Sequence, residues 1–206
     1  RFFPLYPLII RYVSQPFNGE VPFGVVQFFS GFLIANASFL IGLLLLYKLI
    51  VFDFSQSVAR WSIIFLLLFP TSFYFVKLYS ESLFLLLLLL SFYFSRKRNW
   101  TLSAFFGLLL TITRPVGVFI LPALLYEFFV QEKVVEKFKK HLSLVTILKK
   151  SLPLYFIPFG VLGFSWFNLQ KWGNPFYFIF AQGELANSRS VDTIVLFPQT
   201  IFRYVK

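Results

Sequence analysis

From residue 22 onward the chain is a succession of long apolar runs separated by short polar connections. PFGVVQFFSGFLIANASFLIGLLLLYKLIV occupies residues 22–51, and FDFSQSVAR follows it. WSIIFLLLFPTSFYFV fills 61–76, and the leucine-rich stretch from Ser80 to Ser95 comes next. After SRKRN, WTLSAFFGLLLTIT (100–113) meets RPVG, and the apolar pattern resumes to Val130. A polar stretch covers 131–150, and LPLYFIPFGVLGFSWFNLQ (152–170) leads into KWGNP. About 20 apolar residues suffice for a membrane-crossing helix. The pattern therefore predicts six spans, at about 22–51, 61–76, 80–95, 100–113, 116–130 and 152–170. The runs are continuous and do not alternate, which argues against a transmembrane β-barrel. The expected fold is all-α, a multi-pass transmembrane helical bundle forming one domain over 1–206, with no convincing internal repeat.

Composition strengthens this reading. The chain is 58% hydrophobic and only 13% charged, where soluble domains carry about a quarter charged residues. The mean hydropathy is +0.78. Cysteine is absent, which excludes disulfides, thiol catalysis and thiolate metal sites. With His141 as the one histidine, a His-rich metal site or Ser-His-Asp chemistry is not expected. Methionine is absent even at position 1, so the chain is expected to be a fragment or a processed product.

The net charge of +11 would suggest nucleic acid on a soluble domain. Here the cations sit in clusters between apolar runs and follow the positive-inside rule. Lys48, Arg60, Arg96, Lys97, Arg98, Lys133, Lys137, Lys139, Lys140, Lys149 and Lys150 fall in alternate connections, all assigned to the cytoplasmic face. The other face then carries residues 1–21, Lys77 to Ser82, Thr113 to Gly117 and everything after Lys171. The 131–150 stretch reads as a charge-bearing connection, an amphipathic helix on the inner leaflet that includes a solvated His141. Two glycosylation sequons, Asn36-Ala-Ser38 and Asn99-Trp-Thr101, fall inside a span and on the cytoplasmic side, so neither is expected to be used.

The outward connections hold the candidate chemistry. In FPTSFYFVKLYSESLFLLLLLL (69–90), a lysine, a glutamate and two serines stand at the entrance of a leucine-rich helix. Ser80 is placed to N-cap that helix, and Glu81 falls in its first turn, where a carboxylate suits the helix dipole. Lys77, four residues before Glu81, is within pairing distance if the helix starts earlier. Charges near membrane depth are costly, however, and usually line a wet cavity or a site. Arg114 precedes Pro115, which is well placed to open a helix running to about Val130. Its amides and the guanidinium together would attract an anion. The span before it covers only roughly 20 Å at 1.5 Å per residue, which recesses Arg114 below the surface. Trp172-Gly173-Asn174-Pro175-Phe176 makes a third outward turn with aromatic flanks. Lys77, Tyr79, Ser80, Glu81, Arg114, Trp172 and Asn174 are thus the candidate ligand-binding residues. They suit a ligand with an anionic head, a polar ring and a greasy tail.

Four blocks resemble the mannosyltransferases of the PIG-V type, in the GT-C superfamily of integral membrane glycosyltransferases. They are FFPLYPLIIR (2–11), FPTSFYFVKLYSESLFLLL (69–87), TRPVGVFILP (113–122) and WGNPFYFIFAQ (172–182). The resemblance implies a GT-C-like fold and a hexosyltransferase on the non-cytoplasmic face. It would move a mannosyl-type sugar from a polyprenyl- or dolichyl-phosphate donor to a glycolipid or glycan acceptor. It also implies direct, inverting displacement assisted by an acidic base in the first outward loop. In the family that residue precedes the FFPLYP block, so the base is expected upstream of Arg1, and further spans are expected beyond the WGNP region. The stretch by itself need not be active. No cofactor is visible, no metal ligands are assigned, and a divalent cation is left open. The expected location is a prokaryotic plasma membrane, with the endoplasmic reticulum as the alternative. A transporter or flippase for a lipid-linked or anionic solute would use the same Lys77, Glu81 and Arg114 as substrate or proton-coupling groups. A structural subunit would use them as packing pairs.

Overall fold

A computed structural model describes residues 3–17, 23–134 and 144–185, and among these residues every regular element is helical. The contacts divide the chain into two compact units, Phe3–Val161 and a second comprising residues 1–2 and 162–206. The larger unit contains α1 (Leu5–Ser14), α2 (Phe23–Val51), α3 (Gln56–Leu68), the single turn α4 (Phe73–Val76), α5 (Glu81–Arg96), α6 (Trp100–Thr113), α7 (Ile120–Gln131) and α8 (Leu144–Ser151). Helix α9 (Phe159–Trp172) contains the division, and α10 (Tyr177–Leu185) belongs to the second unit. Two stretches are long and apolar enough to cross a membrane, Gly24–Val51 with 28 residues and Ile147–Trp172 with 26. The other four predicted spans form helices shorter than the roughly 20 residues a bilayer asks for.

Local chemistry sets the helix ends. Ser55 caps α3, its Oγ accepting from the Val58 amide at 3.4 Å. That helix stops at Phe69, whose extended backbone is what the following Pro70 imposes. The predicted span 61–76 is therefore not one helix: it breaks over Phe69–Ser72 and resumes as α4. Asn99 caps α6, its Oδ1 accepting from the Leu102 amide at 3.1 Å. Arg114, extended ahead of Pro115, ends it. The expected helix from Pro115 starts instead as a 3-10 turn, Pro115–Phe119, and becomes α-helical at Ile120. Helix α1 lies in a segment expected to be a connection. Its prolines do not break it, because Pro4 is at the N-cap and Pro7 in the first turn, where no helical N–H is needed. His141 and the rest of 135–143 lie outside the described residues, so the surface helix expected over 131–150 is described only at its ends, in α7 and α8.

The core of the larger unit gathers Leu83 and Leu87 of α5, Trp100, Ala104 and Leu110 of α6, Ile120, Leu124 and Phe128 of α7, and Leu154 and Ile157. Small residues let the helices close on one another. Ser103, Gly107 and Thr111 recur every four residues on α6, and all are buried. Ser91 Oγ of α5 donates to the Ser103 carbonyl at 2.8 Å, and Thr111 Oγ1 lies 3.1 Å from the Ile157 carbonyl. Such bonds between apolar helices are worth about 0.6 kcal/mol each.

The α5–α6 connection is a tight reversal. The Asn99 amide donates to the Phe94 carbonyl at 2.9 Å and the Arg98 amide to Ser95 at 2.8 Å. This is a helix-ending motif whose left-handed position is usually glycine. Arg98 holds that position with φ 59°, a conformation that costs a side-chain-bearing residue about 1 kcal/mol. At the far end of α6, a Cβ on Gly117 would stand 2.9 Å from both the carbonyl carbon and oxygen of Leu110. Backbone cannot yield there as a side-chain tip can. Gly117→Ala is expected to destabilise the fold by about 1–3 kcal/mol. Gly163→Ala, with nothing within 4 Å of the new methyl, should be neutral or stabilising by about 0.5–1 kcal/mol. Unfolding of the two variants in detergent checks the contrast.

Candidate functional site

Helices α5 and α6 run antiparallel, so the start of one lies beside the end of the other. Glu81, the first residue of α5, therefore meets Arg114, the residue after α6. Arg114 Nη2 lies 3.2 Å from Glu81 Oε1, with the two side chains 43% and 26% exposed. The second carboxylate oxygen, Oε2, is buried and has no hydrogen-bond partner among the described residues. Most buried polar atoms are satisfied, and an orphan of this kind calls for a water, an ion or a ligand. The pair is close to neutral, yet it offers an open acceptor on the carboxylate and further N–H donors on the guanidinium fork.

Tyr6 of α1 is near enough for the charge of Glu81 to bear on its phenol. It is 7% exposed, and its hydroxyl donates to the Gly31 carbonyl of α2 at 3.0 Å. Burial raises its phenol above the ordinary value, and the negative charge of Glu81 adds to the effect. Tyr6 is absent from the site read from the sequence. Its signal lay in the FFPLYP block itself, a motif without a charged residue.

The remaining candidates are placed as follows. Ser80 stands at the N-cap of α5 but makes no side-chain cap bond, because its backbone is already helical there. Ser82, fully buried, donates to the Phe75 carbonyl and ties α4 to α5. This answers for one of the two serines: it is a strap between elements. Lys77 does not pair with Glu81. Helix α5 begins only at Glu81, and the Lys77 ammonium lies 4.6 Å from the Phe73 ring centroid in a cation–π contact. Tyr79 is exposed, its ring 5.8 Å from that of Tyr74.

In the second unit, Trp172 stacks on Tyr177 at 4.8 Å, and Gly173 turns the chain with φ 70°. The Asn174 side-chain oxygen accepts from the Phe176 amide at 2.9 Å, so it shapes its own turn. Among the described residues no group of three or more His, Asp or Glu side chains is placed to hold a metal ion.

No protein-family model, curated protein or solved structure matches this chain.

Two outcomes follow from this geometry. Both partners of the Arg114–Glu81 pair are partly exposed, so a double-mutant cycle with Arg114→Ala and Glu81→Gln should give a coupling of about 1 kcal/mol or less. The Tyr6 phenol titrates above its unfolded value of 10.0. Its contribution to stability is intact below pH 10 and is lost as pH rises through the folded value. Denaturant unfolding of Tyr6→Phe should show a shallower alkaline decline than the parent chain.

Proposed function

We propose that the chain carries the donor site of a multi-pass, GT-C-like glycosyltransferase. It would move a mannosyl-type sugar from a polyprenyl- or dolichyl-phosphate to a glycolipid or glycan on the non-cytoplasmic face. One observation carries the reading: Glu81 and Arg114, from two of the four blocks that resemble the PIG-V type, pair at one end of α5 and α6, and the charge of Glu81 also bears on Tyr6 from a third block. They are far apart in sequence, and the buried Glu81 Oε2 has no hydrogen-bond partner among the described residues.

The chemistry fits a phosphate-linked sugar. Arg114 supplies a fork of donors for the donor phosphate, whose charge grows as the bond to the sugar breaks. Glu81 Oε2 supplies the acceptor for a hydroxyl of the sugar or of the incoming acceptor. Lys77, Tyr79 and Ser80, on the connection into α5, would line the approach. Trp172 and Asn174, in the second unit, stay candidates on the resemblance alone, and the Asn174 side-chain oxygen is engaged in its own turn. The catalytic base is not assigned within these residues.

A membrane setting is supported by the surface of α2. Phe29, Leu33, Leu40 and Leu44 recur on one face of this helix and are 59–64% exposed, which suits lipid better than water. Sidedness is supported by the charges. Arg96, Lys97 and Arg98 stand at the opposite end of α5 and α6 from Arg114, and Lys149 and Lys150 share a cavity with two of them.

The deciding experiment is sugar transfer from radiolabelled polyprenyl-phosphate-mannose by the complete gene product in proteoliposomes. Arg114→Ala and Glu81→Gln are expected to abolish transfer while the protein still inserts. Arg114→Lys should also be poor, since an ammonium cannot reproduce the guanidinium fork. Full activity in both Arg114→Ala and Glu81→Gln would sink the site assignment. Uptake or flipping of the lipid without transfer would favour a transporter acting through the same pair.

A further inference from the structure

At the opposite end of α5 and α6 lies a second polar feature. A cavity of about 710 Å³ is lined by Lys97 and Arg98 from the α5–α6 reversal, the start of α6, Glu132 after α7, and Lys149 and Lys150 of α8. Four cations and one carboxylate thus belong to the described lining, and the Lys97 ammonium also lies 4.5 Å from the Tyr93 ring centroid. That carboxylate is already committed: Glu132, 7% exposed, holds Lys150 at 3.0 Å. Among the described residues no carboxylate pairs with Lys97, Arg98 or Lys149. The cavity is therefore strongly positive, and the first amides of α6 at Trp100 and Thr101 add the positive end of a helix dipole.

The buried Trp100 indole N–H is the second observation: Trp100, 5% exposed, lines the cavity, and no described residue accepts its hydrogen bond.

We propose that this cavity binds a phosphate group, held by Lys97, Arg98 and Lys149. Basic pockets between helices at a membrane surface take anionic lipid head groups in this way, and a soluble phosphate presents the same chemistry. The site uses none of the residues at the Glu81–Arg114 end and stands whether or not the chain transfers sugars.

The test uses the full chain in detergent with two probes. Retention of phosphatidylglycerol, against phosphatidylcholine, is read by native mass spectrometry. Inorganic phosphate, against chloride at equal ionic strength, is read by calorimetry. Each cation removed should weaken binding roughly fivefold, so Arg98→Gly with Lys149→Gln should weaken it by about 25-fold. Arg60→Gln, which removes an exposed cation outside the cavity, should leave it unchanged. Arg98→Gly also relieves the strained backbone, so its thermal unfolding should not fall, which separates lost binding from lost fold. Binding of the lipid alone identifies a head-group site, and binding of inorganic phosphate identifies a soluble ligand. Binding of neither probe, or binding that survives in the double variant, overturns the proposal.

Discussion

Helices α5 and α6 approach closely because small side chains face one another where they meet. Gly107 of α6 stands against Ser91 of α5 and Ile157, and a Cβ there would already be 2.9 Å from the Ile157 side chain. Ser91 closes the contact with its bond to the Ser103 carbonyl. Lengths do the rest. Sixteen residues of α5 and fourteen of α6, at about 1.5 Å per residue, give two rods of nearly equal length. A tight reversal at Arg98 and Asn99 then brings Thr113 and Arg114 level with Glu81. Both polar ends of the larger unit are consequences of this one antiparallel contact.

The charged residues follow the same geometry. At the reversal end, Arg96 pairs with Asp53, which follows α2, and with Glu127 of α7 at 3.0 Å. It binds three elements at a single point. Glu132 and Lys150 join α7 to α8 nearby. The two Arg96 pairs are partly exposed, so each contributes modestly to stability. Their effect is to fix which helix ends lie together. At the other end Glu81 and Arg114 also pair, but one buried carboxylate oxygen has no partner. The reversal end thus has its carboxylates engaged and excess cations. The Arg114 end is nearly neutral and has an unfilled acceptor. The two ends therefore differ in charge and in which groups are left without a partner.

Neither site is formed by one motif. RPVG sets Arg114 only because Gly117 allows the 3-10 turn to lie against the Leu110 carbonyl. YSES supplies Glu81 as the first helical residue, while Ser82 secures the preceding turn through the Phe75 carbonyl. Tyr6 is held where α1 packs on α2 at Gly31, where its hydroxyl finds a backbone acceptor.

The helices themselves were legible from the apolar runs. Three predicted stretches, 22–51, 80–95 and 100–113, are helices with ends within one residue, whereas 116–130 and 152–170 open as 3-10 turns and become α-helical only at Ile120 and Phe159. Continuous hydrophobicity and capping residues such as Asn99 are local signals. Pro70 was equally visible, but the break it makes across 61–76 depends on Phe69 turning to extended backbone. Helix α1 was obscured by its prolines, whose positions in the first turn cannot be judged until the helix start is known. Glu81 and Arg114 were legible as polar residues out of place beside apolar runs. Their 3.2 Å pairing was not, since it joins residues 33 positions apart and excludes the local Lys77–Glu81 alternative. The cavity at Lys97 and Lys149 was legible only as two basic clusters of like sidedness. Residue type and spacing determine where helices form and which residues are polar. Which polar groups face one another, and which are left without a partner, is decided by helix packing, because those distances are set by side-chain volume across the interface and not by order along the chain.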